Sequence, residues 1–396
     1  MEVVSMSEYD DAETSITHLP DDCLSFIFQR LDNVADHDSF GLTCHRWLNI
    51  QNISRRSLQF QCSFTVLNPA SLSQPSPDVN SYHLHRLLTR FQCLEHLSLS
   101  GCTLLNDSSL ASLRFPGARL HSLYLDCCFG ISDDGIFTIA RFCPNLRVVS
   151  LYRCNISDIG LETLARASLP LMCVNLSYCP LVSDLGIKVL SQACLQLKSV
   201  KISNCKSITG VGFNGCSPTL GYVDAESCQL EPKGINGIIS GGGIEFLNLS
   251  RVSSYIHKDG LVPIGSGIAS KLRILNLRMC RTVGDESIEA IAKGCPVLQE
   301  WNLALCHEVK VLGWEAVGKW CRNLKKLHVN RCRNFCDQGL RALRGGCTNL
   351  QILYMSGNAR LTPVAVVMFR LYRTDVTLRT EEMMAIGADW RLYAQE

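Results

Sequence analysis

Cysteine returns along this chain at an almost constant interval. Cys102, Cys128, Cys154, Cys179, Cys205, Cys228, Cys280, Cys306 and Cys332 mark one slot, and Val252 and Asn358 fill it without sulfur. Successive spacings are 26, 26, 25, 26, 23, 24, 28, 26, 26 and 26 residues. Before Cys154 stands the apolar frame Leu146-x-x-Val149-x-Leu151, and after it the stretch Ile156-Ser157-Asp158-x-Gly160. A unit this short cannot bury its apolar face alone, so the units must stack and share one elongated core.

The residue types assign the parts of a unit. Val149 and Leu151 are two apart and share one face of a strand, with Leu146 approaching from the preceding loop. Ile156, Leu161, Leu164 and Ala165 have helical spacing and can cover the same core. Asp158 reads as the cap of that helix. L-x-x-L-x-L-x-x-C at such a period is the signature of leucine-rich repeats. The expected fold is α/β, with about eleven repeats over 91–370. They should form a horseshoe solenoid with a parallel concave sheet and convex helices.

The 22 cysteines invite a disulfide framework. The stacking argues otherwise, since cysteines one repeat apart form a column inside the stack, where a free thiol acts as a small hydrophobe. The opening stretch "MEVVSMSEYDDAETS" is acidic and lacks the basic and apolar regions of a secretory signal. Reduced thiols and a cytoplasmic or nuclear location are therefore expected. No metal is expected, because Cys332-x-x-x-Cys336 lacks a matching second half and the ten histidines do not cluster. Lys and Arg number 38 against 36 Asp and Glu, which gives no basic footprint for nucleic acid. No apolar run approaches the ~18 residues of a membrane span. No Gly-rich phosphate loop, G-x-S-x-G or H-E-x-x-H occurs, so neither enzymatic activity nor a cofactor is expected.

Ahead of the repeats, residues 16–50 carry a different pattern. Pro20 suits a helix start, and Asp21 and Asp22 suit the positive end of its dipole. Leu24, Ile27, Phe28 and Leu31 then form one apolar stripe. A second helical stretch carries Phe40, Cys44 and Trp47. A segment this small cannot bury all of that surface alone. Two readings stand: a cap that seals the first repeat, or a docking module for a second protein.

"LPDDCLSFIFQRL" followed by "DSFGLTCHRW" resembles the F-box, a small all-α module. The matching residues are Leu19, Pro20, Asp22, Leu24, Ile27, Phe28, Leu31, Cys44, Arg46 and Trp47, while Thr43 and Gly41 depart from the pattern. With cysteine-type repeats behind it, the chain resembles the F-box/leucine-rich-repeat proteins, in the branch common in plants. The resemblance implies a non-catalytic subunit of an SCF-type ubiquitin ligase. Its F-box would dock a Skp1-type adaptor, and through it a cullin, by way of Leu19, Pro20, Leu24, Ile27, Leu31 and Trp47. The solenoid would hold the protein to be ubiquitinated. Two alternatives are a hormone-like small-molecule co-receptor of the same architecture and a non-ubiquitin scaffold or inhibitor.

The expected organisation is an acidic tail at 1–15, the F-box at 16–60, a connecting segment at 61–90, repeats at 91–370 and a cap at 371–396. Val376-x-Leu378 reads as one more edge strand, and "EEMMAIGADWRLYAQE" reads as a shield for that edge. The Pro- and Ser-rich stretch 68–80 reads as a surface loop. Residues between the inward-facing strand positions point out of the concave sheet. From the sixth to the tenth repeat these include Tyr222, Asp224, Glu226, Phe246, Arg278, His328 and Asn330. Aromatic anchors beside both signs of charge, in the region of irregular spacing, make them the expected substrate-binding residues. Tyr124 and Tyr152 occupy the corresponding slots of the early repeats.

Overall fold

The computed structural model describes residues 16–60, 79–252, 256 and 259–394. The acidic tail at 1–15 and nearly all of the 68–80 loop lie outside the described residues.

Three helices form the first module: α1 (Asp21–Gln29), α2 (Val34–Leu42) and α3 (His45–Ser54). Pro20 sits just outside α1, with Asp21 and Asp22 in the first turn. Asn33 caps α2 by accepting from the Ala35 N–H at 3.0 Å. The single second helix expected from the sequence is two helices, because the backbone at Cys44 is extended. Phe40 is thereby on α2 and Trp47 on α3, where their rings stack at 4.4 Å. Leu24, Phe28, Phe40 and Ile50 form the module's core.

Gly41, a departure from the F-box pattern, has a structural cause. A Cβ there would lie 2.0 Å from Gln51 Oε1. Gln51 is buried and donates through Nε2 to the His37 carbonyl at 2.7 Å, tying α3 to α2. Arg90, at the end of α4 (Ser81–Arg90), donates to Gln51 Oε1 at 3.0 Å and to Asn52 Oδ1 at 2.5 Å. The small residue therefore makes room for a hydrogen-bonded joint between the module and the repeats.

Among the described residues one parallel sheet of thirteen strands runs in chain order. Its strands are β1 (Ser57–Gln59), β2 (His96–Ser98), β3 (Ser122–Tyr124), β4 (Val148–Ser150), β5 (Cys173–Asn175), β6 (Ser199–Lys201), β7 (Tyr222–Asp224), β8 (Phe246–Asn248), β9 (Ile274–Asn276), β10 (Glu300–Asn302), β11 (Lys326–His328), β12 (Ile352–Tyr354) and β13 (Thr377–Arg379). The eleven repeats supply β2 to β12. The sheet begins one strand earlier than the sequence suggested, because β1 follows α3 directly and pairs with β2. The central residue of each strand stands in register with its neighbours, as in Leu123, Val149, Val174 and Val200. These side chains point into the shared core and are essentially inaccessible.

The cysteine column has a hydrogen-bonding role as well as a packing one. Cys154 Sγ donates to the Leu125 carbonyl at 3.0 Å, and Cys179, Cys205 and Cys306 repeat the bond to Leu151, Leu176 and Leu277 at 3.1 Å. Asn358, in the same slot, makes it with an amide, donating to the Val329 carbonyl at 2.7 Å. Every cysteine among the described residues is a free thiol. Burial pushes the column thiols up, to about 12 for Cys179 and Cys332, so they stay protonated and unreactive at neutral pH. The residue before the slot adopts a left-handed backbone in all eleven repeats, from Gly101 through Arg153 and Tyr178 to Gly357. This turn swings the chain off the strand and seats the cysteine beneath it.

The convex helices correct one expectation. Asp158 is not the cap of its helix, since Ser157 takes that place and accepts from the Ile159 N–H. Asp158 is instead the first helical residue. It accepts from the Ser183 N–H at 2.8 Å and the Ser183 hydroxyl at 2.6 Å, in the next repeat. Regularity falls at 211–213 and 262–266, where short 3-10 turns replace helices. These turns lie in the stretch where the spacing departs from 26.

Candidate functional site

The residues expected to bind partners lie on two surfaces, the module's outer face and the concave sheet. On the module, Leu19, Ile27, Leu31 and Trp47 pack on the core while keeping part of their surface open, and Pro20 is exposed. Leu24 differs: it is 0% exposed and belongs to the core, so it cannot touch a partner. The alternation of 3.6 residues placed Leu24 and Ile27 on one stripe, and only the packing of α2 and α3 divides that stripe into an enclosed and an open part. Arg46 fixes the start of α1, donating to Asp21 Oδ1 at 2.7 Å and to the Leu19 carbonyl at 2.6 Å. Phe26 and Leu42, not picked out by the sequence reading, are exposed. Neither breaks an apolar pattern, so no signal marked them.

On the concave sheet the expected substrate residues do come together, but most are covered. Tyr222, Asp224, Phe246, Arg278, His328 and Asn330 are all buried, and Glu226 is half-buried. The cover is the chain's own segment 380–394. This is a second correction, because that segment was expected to shield the sheet's last edge and instead runs back across the concave face. After β13 it crosses Asn330, whose Nδ2 donates to the carbonyls of Thr380 and Glu381 at 3.4 and 3.3 Å. Glu382 lies 2.6 Å from Arg331 and 3.9 Å from Arg278. Asn302 donates to the Met383 carbonyl at 3.4 Å. Gly387, at φ +87°, passes over Phe246 so closely that a Cβ would come within 2.4 Å of the ring. Trp390 is buried with Val148, Met172, Cys173, Tyr222 and Phe246, and Tyr393 meets the Tyr222 ring edge-on at 5.3 Å.

The surface beneath is pre-built. Tyr222 and Phe246 stack at 4.1 Å and 3° between planes, and His328 and Tyr354 stack at 4.2 Å and 2°. His328 Nε2 lies 3.1 Å from Glu300 Oε1, and Lys326 lies 3.5 Å from Glu300 Oε2. Burial alone would raise the Glu300 carboxyl, but the hydrogen bond from His328 and the charge of Lys326 outweigh it and hold the group below the usual range. Asp126 goes the other way, because burial raises it despite hydrogen bonds from Ser150, the Tyr152 N–H and Ser100. Burial and the neighbouring Asp224 carboxylate likewise raise Glu226.

Between the covering segment and β3–β8 lies a cavity of about 450 Å³. Asp126, Asp224 and Asp389 face two cations there, Lys201, which is 3.4 Å from Asp224, and Arg391, which pairs with Asp389. In the early repeats Tyr152 meets Tyr178 edge-on at 5.3 Å, and Arg153 stands over Tyr178 at 4.9 Å. Tyr178 was missed in the sequence. Its signal is its place before the cysteine slot, where the left-handed turn projects a side chain outward. Among the described residues no group of three or more His, Cys, Asp or Glu could hold a metal, and no helix is long and apolar enough to cross a membrane.

The comparisons agree with this architecture. A family model described as Leucine Rich repeat matches residues 142–165 and 269–292. The yeast Rad7 structure, solved in complex with Elc1, shares the fold at TM-score 0.57 and 19% identity over 90% of this chain and 92% of that one. Coronatine-insensitive protein homolog 1b of Oryza sativa subsp. japonica is 26% identical over 170 residues, 37% of this chain and 28% of that protein. F-box/LRR-repeat protein 12 of Arabidopsis thaliana is 88% identical over 396 residues, the whole of both chains. With the three-helix module joined to a cysteine-column solenoid, that full-length identity places the chain in the F-box/leucine-rich-repeat family.

Proposed function

We infer that this chain is the substrate-recognition subunit of an SCF-type ubiquitin ligase. The three-helix module docks a Skp1-type adaptor and through it a cullin, and the concave face receives the protein to be ubiquitinated. The observation that carries the reading is the division of α1 into an enclosed side and an open side. Leu19, Pro20, Ile27 and Leu31 leave apolar surface uncovered on a module clamped to the solenoid through Arg90. A module that only capped the first repeat would turn this stripe toward the repeats. The ligase chemistry belongs to the other subunits, and this chain positions one protein beside them in the cytoplasm or nucleus.

A small-molecule co-receptor receives less support. The cavity under segment 380–394 is lined by Asp126, Asp224 and Asp389 against Lys201 and Arg391, each already paired with one of those carboxylates, a poor match for a polyanion.

The test is co-expression with a Skp1-type adaptor, followed by affinity purification of intact chain and of the Leu19→Ala/Pro20→Ala variant. The intact chain should retain adaptor and cullin, and the variant should lose both while still melting cooperatively. Equal adaptor recovery by the two would overturn the assignment.

A further inference from the structure

Segment 380–394 lies on the recognition surface in the manner of a bound peptide. It pairs with no strand, and the repeats grip its main chain through side chains. Asn330 and Asn302 donate to carbonyls at 380, 381 and 383, and Cys173 Sγ approaches the Trp390 carbonyl at 3.6 Å. Such contacts accept any extended chain. Side-chain selection comes at four points. Glu382 enters between Arg278 and Arg331, Ile386 is buried, Gly387 clears the Phe246 ring, and Trp390 is buried on β4, β5, β7 and β8.

The fit is incomplete in two respects. Most of the segment remains exposed, and within 381–394 only Ile386 and Trp390 are buried. Beneath it, Arg278 Nε, His328 Nδ1, Asn276 Nδ2 and Asn330 Oδ1 are buried and have no hydrogen-bond partner among the described residues. The side chains carrying them are each at least nine-tenths enclosed. A groove made only to hold this segment would match these groups, since an unmatched buried polar atom costs stability. Aromatic and arginine side chains are also the types on which interfaces concentrate their energy.

We propose that the concave groove from β4 to β11 recognises an extended segment of a partner protein, and that residues 380–394 occupy it as a competing internal ligand. The partner segment carries an acidic residue, an apolar residue followed by glycine, and an aromatic residue, at the spacing Glu382, Ile386, Gly387, Trp390. It displaces the internal segment and can satisfy the groups that segment leaves unmatched. While the internal segment is seated, only the fraction of molecules in which it has lifted binds, so partner affinity is reduced by that fraction. This rests on the concave face being the recognition surface.

The experiment uses the full-length chain with Gly387→Val, which cannot seat over Phe246, beside the intact chain and a chain lacking 380–396. The probes are a fluorescent peptide of residues 380–396 and a second peptide with Glu, Ile, Gly and Trp at the same spacing and serine elsewhere. Anisotropy should show both peptides binding the Gly387→Val and shortened chains, and binding the intact chain about tenfold or more weakly. The same peptides with Glu382→Lys or Trp390→Ala should lose binding to all three. No binding of either peptide to a cooperatively melting Gly387→Val chain would overturn the proposal. So would equal affinity for intact and opened chains, while failure of the serine peptide alone would overturn the stated partner chemistry. Should the shortened chain fail to fold, the Gly387→Val chain decides. No adaptor enters this measurement, so loss of adaptor binding and loss of peptide binding refute the ligase reading and the groove reading separately.

Discussion

The carboxylate of Asp133 receives both the backbone N–H and the hydroxyl of Ser157, at 2.9 and 2.5 Å, from the start of the next repeat's helix. The same pairing joins Asp107 to Ser132, Asp158 to Ser183, Asp184 to Thr209 and Asp337 to Thr362. The Ser-Asp motif thus looks both ways. Its serine caps its own helix while being held by the preceding aspartate. The glycine two residues after the aspartate is where a Cβ would strike that preceding carboxylate, at 2.4 Å for Gly160.

Asp133→Ala should therefore destabilise the solenoid by about 1–3 kcal/mol, because it strips the Ser157 N–H and hydroxyl of their shared acceptor. Glu162→Ala on the neighbouring helix should be nearly neutral, since its pair with the exposed Arg166 is an open i,i+4 contact. Thermal unfolding of the two variants checks the contrast.

Cys154→Ser should be mild for a buried hydroxyl, about 1 kcal/mol, because the new donor inherits the Leu125 carbonyl. Cys154→Ala should cost a similar amount through lost volume, since the Cys128 N–H still reaches that carbonyl at 3.0 Å. Urea unfolding gives both values. In the native chain iodoacetamide should label the exposed Cys23 and Cys44 and leave the column untouched.

Leu24→Ala and Leu19→Ala/Pro20→Ala should separate folding from docking. The first opens the module's core and should cost about 2–5 kcal/mol, seen as early melting of the module. The second should leave melting nearly unchanged and remove adaptor binding. Adaptor recovery and differential scanning calorimetry on the same preparations distinguish them.

Glu300 gives a pH dependence of definite sign. Its folded-state value lies below the usual 4.5, so its contribution is fully present above that value. It is lost as pH falls from 4.5 through the lower folded-state value. Asp126 acts oppositely, because its raised value favours the protonated folded form and relieves a cost as pH falls. Melting temperature in acid should therefore fall less steeply for Glu300→Gln and more steeply for Asp126→Asn than for the intact chain.

The period of the cysteine slot determined the solenoid, the parallel sheet and the reduced column, because each repeat contacts only its neighbours and local spacing sets those contacts. The Leu-Pro start and its stripe determined the helical module. What spacing could not show was any contact between residues distant in the chain. Gly41 looked like a weak helix residue until Gln51 and Arg90 filled the space above it. Leu24 and Ile27 looked equivalent until α2 and α3 closed over one of them. Tyr222, Phe246, Arg278 and Asn330 were legible as concave residues because strand alternation is local. Their burial under Trp390, Gly387 and Glu382 was not, because that packing joins residues 50 or more positions apart and leaves no periodic trace. Tertiary structure alone decided that the groove is already filled.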